Sequence, residues 1–345
     1  MKNIQYSPKN EIIKTQFFDM LEHAKGRDQK TITSHAKAIH EFEISTGFRD
    51  FKAFTVKQAH DYKEYLTNKR NKRTGEPISK SYLRNYTTHV RNFFEWLLNQ
   101  KGYKSIQYDH VQHFNITRND RNRASATAYQ ESYDVSEILS TIRQMPDTNE
   151  IKMRNKAIIS LNLLTTPRIS ALASARIESV KYMKDMKAWA FIQNPNWVNT
   201  KYAKTITAYF IGNIQDIYDN VLNWQTYLLD KGFSGKDPLF PKIIPSFSHE
   251  GFQILNLEKE FIKSKSTIRG VFKKAFEGNQ LPYLKPHSFR HSIVRYAMQS
   301  EQSPLLISAL NQNIGHAMDV GVIISSYGTT PEHQRAKVLK EFKLE

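Results

Sequence analysis

The chain has 345 residues, long for a single hydrophobic core, so two domains are expected. Its 39% hydrophobic and 12% aromatic content exclude a disordered chain, and the absence of cysteine removes disulfides, thiol nucleophiles and cysteine-based zinc sites. With 50 Lys+Arg against 33 Asp+Glu the formal charge is +17, which favours polyanionic partners, nucleic acid ahead of an acidic membrane surface.

No apolar run reaches the ~18 residues a membrane span needs, and the start MKNIQYSPKNEIIK lacks the apolar stretch of a secretion signal. A cytosolic protein is the simplest reading. Residues 1–11 read as an N-terminal extension, and residues 12–105 as a helical domain. EIIKTQFFDMLEHAK sets Ile12, Ile13, Phe17, Met20 and Leu21 on one face at helical spacing. TITSHAKAIHEFEIST and TVKQAHDYKEYLTNK follow the same rule, the second with Thr55 as N-cap. NKRNKRTGEPIS is a basic loop, broken by Gly75 and Pro77, that carries Lys69, Arg70, Lys72 and Arg73. Ser79 then caps KSYLRNYTTHVRNFFEWLLNQKGY, with Leu83, Tyr86, Val90, Phe93, Phe94 and Leu97 facing inward. The same helix mixes Lys80, Arg84 and Arg91 with Tyr82 and Tyr86. A helix of this kind can lie along a DNA groove, cations on phosphates and a few side chains on base edges; a solvated face is the plain alternative.

Residues 106–132 show no sustained period and carry Arg118, Arg121 and Arg123. They read as a basic interdomain linker whose arginines track a phosphate backbone or stay solvated. From residue 133 to 345 the character changes. DVSEILSTIRQM is a capped helix, and MRNKAIISLNLLTT is nearly all apolar and so buried. AWAFIQNP and TITAYFIG are β-prone runs flanking a polar turn, NWVNTKYAK, that holds Lys201 and Lys204. The remainder reads as mostly helical, with prolines punctuating 238–245. It ends in a tail helix over 331–345 with an apolar stripe of Ala336, Val338, Leu339 and Phe342.

The stretch LKPHSFRHSIVRYAMQS brings His287, Arg290 and His291 within five positions at a helix start marked by Pro286. Phosphodiester chemistry without a metal needs cations on the nonbridging oxygens and proton donors and acceptors for the attacking and leaving oxygens. Arginine suits the clamp, because its planar fork pairs bidentately with phosphate and stays charged. His287 and Arg290, three apart, would share a helical face. Three further segments join them. LNLLTTPRISALASARIESV turns at Thr166-Pro167 and restarts a helix at Arg168, the hairpin turn supplies Lys201 and Lys204, and NQNIGHAMDVGVIISSYGTT sets Gly315-His316 eleven residues before Tyr327. A zinc site of His287, His291 and His316 is the rival reading. It lacks a glutamate base in HSFRH and would seat Arg290 beside the metal.

In this order the segments resemble the tyrosine recombinase (phage integrase) family, over almost the whole chain. The resemblance implies a mainly α fold with a small β-sheet: an all-α core-binding domain followed by an α+β catalytic domain, closing as a C-shaped clamp around duplex DNA. Arg168 matches the family's first arginine, Lys201 its hairpin lysine, with Lys204 the second basic position, and His287 and Arg290 its His-x-x-Arg. His316 matches its Leu-Gly-His, and Tyr327 its nucleophile. Two departures stand out: Thr-Pro precedes Arg168 where the family has Gly and an apolar residue, and Ala171 stands where it commonly has a carboxylate. The resemblance implies a site-specific recombinase that forms a 3′-phosphotyrosine with no metal, ATP or other cofactor. It also implies a homotetramer on synapsed double-stranded DNA, linked by the C-terminal tails, in a nucleoid-associated protein of a bacterium or mobile element. A type IB topoisomerase-like enzyme and a catalytically silent DNA-binding regulator remain as alternatives.

Overall fold

In the computed structural model of the protein the described residues are 6–71, 73–120, 131–200, 203–247, 253–299, 304–315 and 332–343. The chain divides into two compact units, Met1–Tyr129 and Gln130–Glu345.

The first unit is all-α. Helix α1, Pro8–Asp19, runs into a π-turn over Met20–Ala24. Helix α2, Gln29–Thr46, starts on the Asp28 carboxylate, which accepts from the Thr31 amide, and stops at Gly47 in the left-handed conformation. Helix α3, Val56–Asn68, has a capping box between Thr55 and Gln58, and α4, Lys80–Leu97, starts on Ser79 as expected. Rings dominate the core: Phe42 meets Tyr62, Phe94 and Phe114 edge-on, and Phe17 meets Phe93.

Three sequence expectations change in this unit. Ile12 is 62% exposed, because the buried stripe of α1 runs through Ile13 and Phe17. Residues 8–11 are part of α1 rather than an extension, and Asn10 is fully buried. Its amide donates to Glu43 Oε1 at 3.2 Å and accepts from the Phe51 amide at 3.1 Å, tying α1 to α2. The first part of the expected linker belongs to the core: Tyr108–Gln112 forms helix α5, and Val111 and Phe114 are fully buried. Phe114 stacks on Phe54 with centroids 5.3 Å apart. The apolar residues there are too few to show a period, so only the packing reveals the element.

In the second unit, α6 (Val135–Gln144) begins with an Asp134–Glu137 capping box, and α7 (Glu150–Thr165) is enclosed along its second half, from Ala157 to Thr165. A short helix α8, Ile169–Ala173, leads into an antiparallel sheet of β1 (Val180–Met183), β2 (Ala188–Gln193) and β3 (Ile206–Tyr209), with β2 in the middle. After α9, Gln215–Asp230, comes a second antiparallel pair, β4 (Pro241–Phe247) and β5 (Gln253–Phe261). The helices α10 (Lys265–Gly278), α11 (Ser288–Gln299), α12 (Pro304–Asn313) and α13 (Glu332–Glu341) complete the unit.

Strand β1 and the β4–β5 pair replace expected helix or loop. Pro241 and Pro245 sit in a two-stranded ribbon, where an outer edge tolerates a missing donor. The tail helix α13 packs on its own chain: Ala336, Leu339 and Phe342 are buried, and the Gly212 amide donates to the Leu339 carbonyl at 3.0 Å. Beside it the Asn313 side chain accepts from the Tyr209 amide at 2.6 Å and donates to the Tyr209 carbonyl at 2.9 Å. No helix among the described residues is long and apolar enough to cross a membrane.

Candidate active site

Helix α7 ends at Thr166, which adopts φ 40° and ψ 47°, a left-handed conformation that β-branched residues rarely take. This is the position where the resembling family carries glycine. The turn is held by the Thr166 amide donating to the Asn162 carbonyl at 2.9 Å, and Pro167 follows with its φ already set. Arg168 then stands at the N-cap of α8, half-buried, with φ −72° and ψ 145°.

Arg290 reaches this turn from α11. Its Nε donates to the Thr166 carbonyl at 2.7 Å, its side chain is almost entirely buried, and its Nη1 has no hydrogen-bond partner among the described residues. Burial and then the charge of Arg168 push the Arg290 guanidinium down to about 9. Two guanidiniums from separate elements therefore sit in each other's field, and neither has an ion pair among the described residues. A buried cation next to a second one is costly unless an anion joins them.

His287 lies in the turn ahead of α11 rather than within it, and it is exposed while Arg290 is buried. Its ring meets His291 nearly perpendicular, centroids 5.4 Å apart. Burial, Arg295 and Arg290 together lower the His291 imidazole below its ordinary value. The Gly315 that precedes His316 has φ 61°, and a Cβ there would lie 2.5 Å from Ile206 Cδ1. Glycine is favoured at that point by the positive φ, while the Ile206 side-chain end would have to move aside for a Cβ.

Lys204 is exposed in the segment before β3. Lys201, His316 and Tyr327 lie outside the described residues; of the other three catalytic candidates, Arg168 and Arg290 lie in each other's field, and His287 sits in the turn three positions before Arg290. The loop that leads to Lys201 is tethered to α8, since the Asn199 amide donates to Ser174 Oγ at 2.7 Å. Neither that tether nor the Thr166 carbonyl was foreseen. A serine and a backbone oxygen leave little trace in sequence.

Among the DNA-contact candidates, Lys69 is engaged within the fold by Glu41 and lies over the Tyr65 ring. Lys80 pairs with Asp120 at 2.9 Å. Arg91 donates to Asn115 and lies 3.4 Å from Glu95. Arg84 and Arg91 line a cavity of about 280 Å³ with Thr87, Thr88 and Asn115. Arg70, Arg73 and Arg118 are exposed, whereas Lys72, Arg121 and Arg123 lie outside the described residues.

No protein-family model matches the chain, and none of the curated proteins is a significant match. Solved structures do match. A lambda integrase fragment (75–356), in a dimer bound to a core site, shares 12% identity over 90% of this chain and 96% of that one, with a TM-score of 0.59. The XerH site-specific recombinase bound to palindromic difH substrate shares 14% identity over 92% and 85%, at a TM-score of 0.60. The Tn1549 transposon integrase (aa 82–397), in complex with circular intermediate DNA, shares 11% identity over 94% and 98%, at 0.55. The protein therefore has the mainly α fold of the tyrosine recombinases and integrases.

Proposed function

We propose that the protein is a site-specific tyrosine recombinase that cuts and rejoins double-stranded DNA. The observation that carries this is the Arg168–Arg290 pair: two guanidiniums in each other's field, one almost fully buried with its Nη1 unpartnered among the described residues, an arrangement that an anion would satisfy. A scissile phosphate meets that need, and His287, exposed in the turn three positions before Arg290, is assigned to the same site.

In the proposed reaction Tyr327 Oη attacks the phosphorus and its proton passes to His287, because a phenol with an ordinary value of about 10 is protonated at neutral pH. Arg168 and Arg290 hold the nonbridging oxygens as charge builds, and His316 adds a hydrogen bond. Lys201 gives a proton to the departing 5′ oxygen, with Lys204 as the second basic position. The phosphotyrosine conserves the bond energy, so a second 5′-hydroxyl can attack and release Tyr327 without ATP. Metal and cofactor have no step to perform. The unit Met1–Tyr129 is assigned to DNA binding, with Arg70, Arg73, Arg84, Arg91 and Arg118 as its cations. Assembly as a tetramer on paired sites, with tail helices exchanged between copies, completes the proposal. It is supported by the likeness to a lambda integrase tetramer bound to a Holliday junction, at a TM-score of 0.57.

The test is Tyr327→Phe, assayed on DNA bearing a trapped cleavage site. In the variant DNA affinity should be retained while the covalent protein–DNA adduct disappears, whereas in wild-type protein the adduct should form with or without chelator. An adduct that persists in Tyr327→Phe overturns the nucleophile assignment.

A further inference from the structure

Helix α7 carries one feature that catalysis by the six candidates does not explain. In the run Ala157–Thr165, otherwise aliphatic or hydroxylated, Asn162 is an amide with no exposure to solvent. An unpaired amide inside an apolar helix is destabilising, so an asparagine there calls for a partner. It has one outside its own helix: Nδ2 donates to the Pro286 carbonyl at 3.3 Å, 124 positions away in the chain.

The place of that contact matters. Pro286 immediately precedes His287, and its carbonyl also accepts from the Phe289 amide at 3.4 Å in the turn that starts α11. The Asn162 backbone carbonyl accepts from the Thr166 amide, fixing the left-handed turn that presents Arg168. Arg290 closes the circuit by donating to the Thr166 carbonyl. Side chain and main chain of one residue thus hold both segments that deliver cations and imidazole to the site.

We infer that Asn162 is a positioning residue for the reaction, locking the Pro286–Arg290 turn against the Thr166–Arg168 turn so that His287 and the two guanidiniums converge on one phosphate. This rests on the reading of the site as a phosphodiester-cleaving centre. Without the amide donor one of the two hydrogen bonds that tie this turn to α7 and the Thr166 turn is lost, and the turn can shift within its aromatic packing around Phe289. Misplacement on the order of 1 Å costs a reaction of this kind about 100-fold in rate.

The experiment compares wild type, Asn162→Leu and Asn162→Asp for DNA affinity, for the first-order rate of covalent adduct formation at saturating DNA, and for the pH profile of that rate. Asn220→Ala is the control. It breaks a different, partly buried contact to the same helix, to Ser160 Oγ at 3.1 Å, and should lower thermal stability without slowing cleavage. Asn162→Leu keeps the branched shape, with bulkier methyl groups in place of the amide, and loses the donor. It should bind DNA as wild type does and cleave about 10- to 100-fold more slowly. Asn162→Asp is isosteric and donates only when protonated, so its rate should recover relative to wild type as pH falls. Wild-type cleavage by Asn162→Leu overturns the inference. If that variant does not fold, an Asn162→Asp profile that parallels wild type overturns it instead. Absence of any adduct in the wild-type protein would defeat the parent reading of the site, a result separable from both.

Discussion

Thr166 shows how a single residue can carry a backbone conformation that its type disfavours. A β-branched residue at φ 40° is strained by about 1–2 kcal/mol, yet its carbonyl is the acceptor that holds Arg290. Truncating the side chain separates this strain from packing. At ordinary helical positions glycine is less stable than alanine by roughly 1 kcal/mol. Here the order should invert, with Thr166→Gly more stable than Thr166→Ala by about 1 kcal/mol in urea unfolding. The usual order would show that the turn relaxes to negative φ once the threonine is gone. Ala171 is the other departure from the resembling family. It is buried in α8.

At the scale of elements, α2 and α4 meet through a pair of imidazoles. His35 and His89 face each other with centroids 4.1 Å apart, His35 almost fully buried against Phe17. Burial, then the neighbouring His89, push His35 from an ordinary 6.5 down to about 4, with Arg27 adding to the shift, and burial lowers His89 as well. A base whose folded value is depressed binds protons more readily when unfolded. Stability is therefore complete above about pH 6.5 and drains away as pH falls towards 4, by on the order of 3 kcal/mol for His35. Thermal melts of wild type and His35→Phe between pH 7 and 4.5 should converge towards, then cross to, favour the variant on the acid side. Parallel curves would show that His35 stays neutral in both states.

Elements like α2 and α4 were legible in the sequence because caps and long apolar stripes coincide: Thr55, Ser79 and Asp134 all cap where expected. The motif residues Arg168, His287 and Arg290 were legible through their type and order. What the sequence hid is short or held by distant partners. Helix α5 spans only Tyr108–Gln112 and is fixed by Phe114 meeting rings from other segments. The β4–β5 ribbon shows its alternation only once paired, and the proline in β4 reads as punctuation. Asn10, Asn162 and Asn313 each bridge to backbone far along the chain, which no local period encodes.

For the whole molecule, a formal charge of +17 makes salt the natural probe. Each exposed cation that meets a phosphate releases counterions, and each contributes about one unit to the slope of log affinity against log salt. Arg70→Ala with Arg73→Ala should flatten that slope on nonspecific duplex by about two units if the loop tracks phosphates. Lys69→Ala should leave it unchanged, since Glu41 already neutralises that ammonium inside the fold. A slope altered by Lys69→Ala and not by the arginine pair would assign the loop's contacts the other way round.

The Asn313 amide that occupies the donor and acceptor of Tyr209 has a further consequence, since β3 is the outermost strand of its sheet on the side away from β2. Strand margins left open are templates on which other chains polymerise. Here one side chain imitates a neighbouring strand for a single residue, while Arg335 Nη2 donates to the Thr207 carbonyl at 3.3 Å and Glu332 accepts from Tyr209 Oη at 2.8 Å. The tail helix thus serves as a colloidal safeguard as well as a C-terminal element. A chain ending at residue 331 should scatter light and self-associate with rising concentration in the absence of DNA, and Asn313→Ala should aggravate it. A truncated chain that stays monodisperse would mean that α12 alone shields the strand.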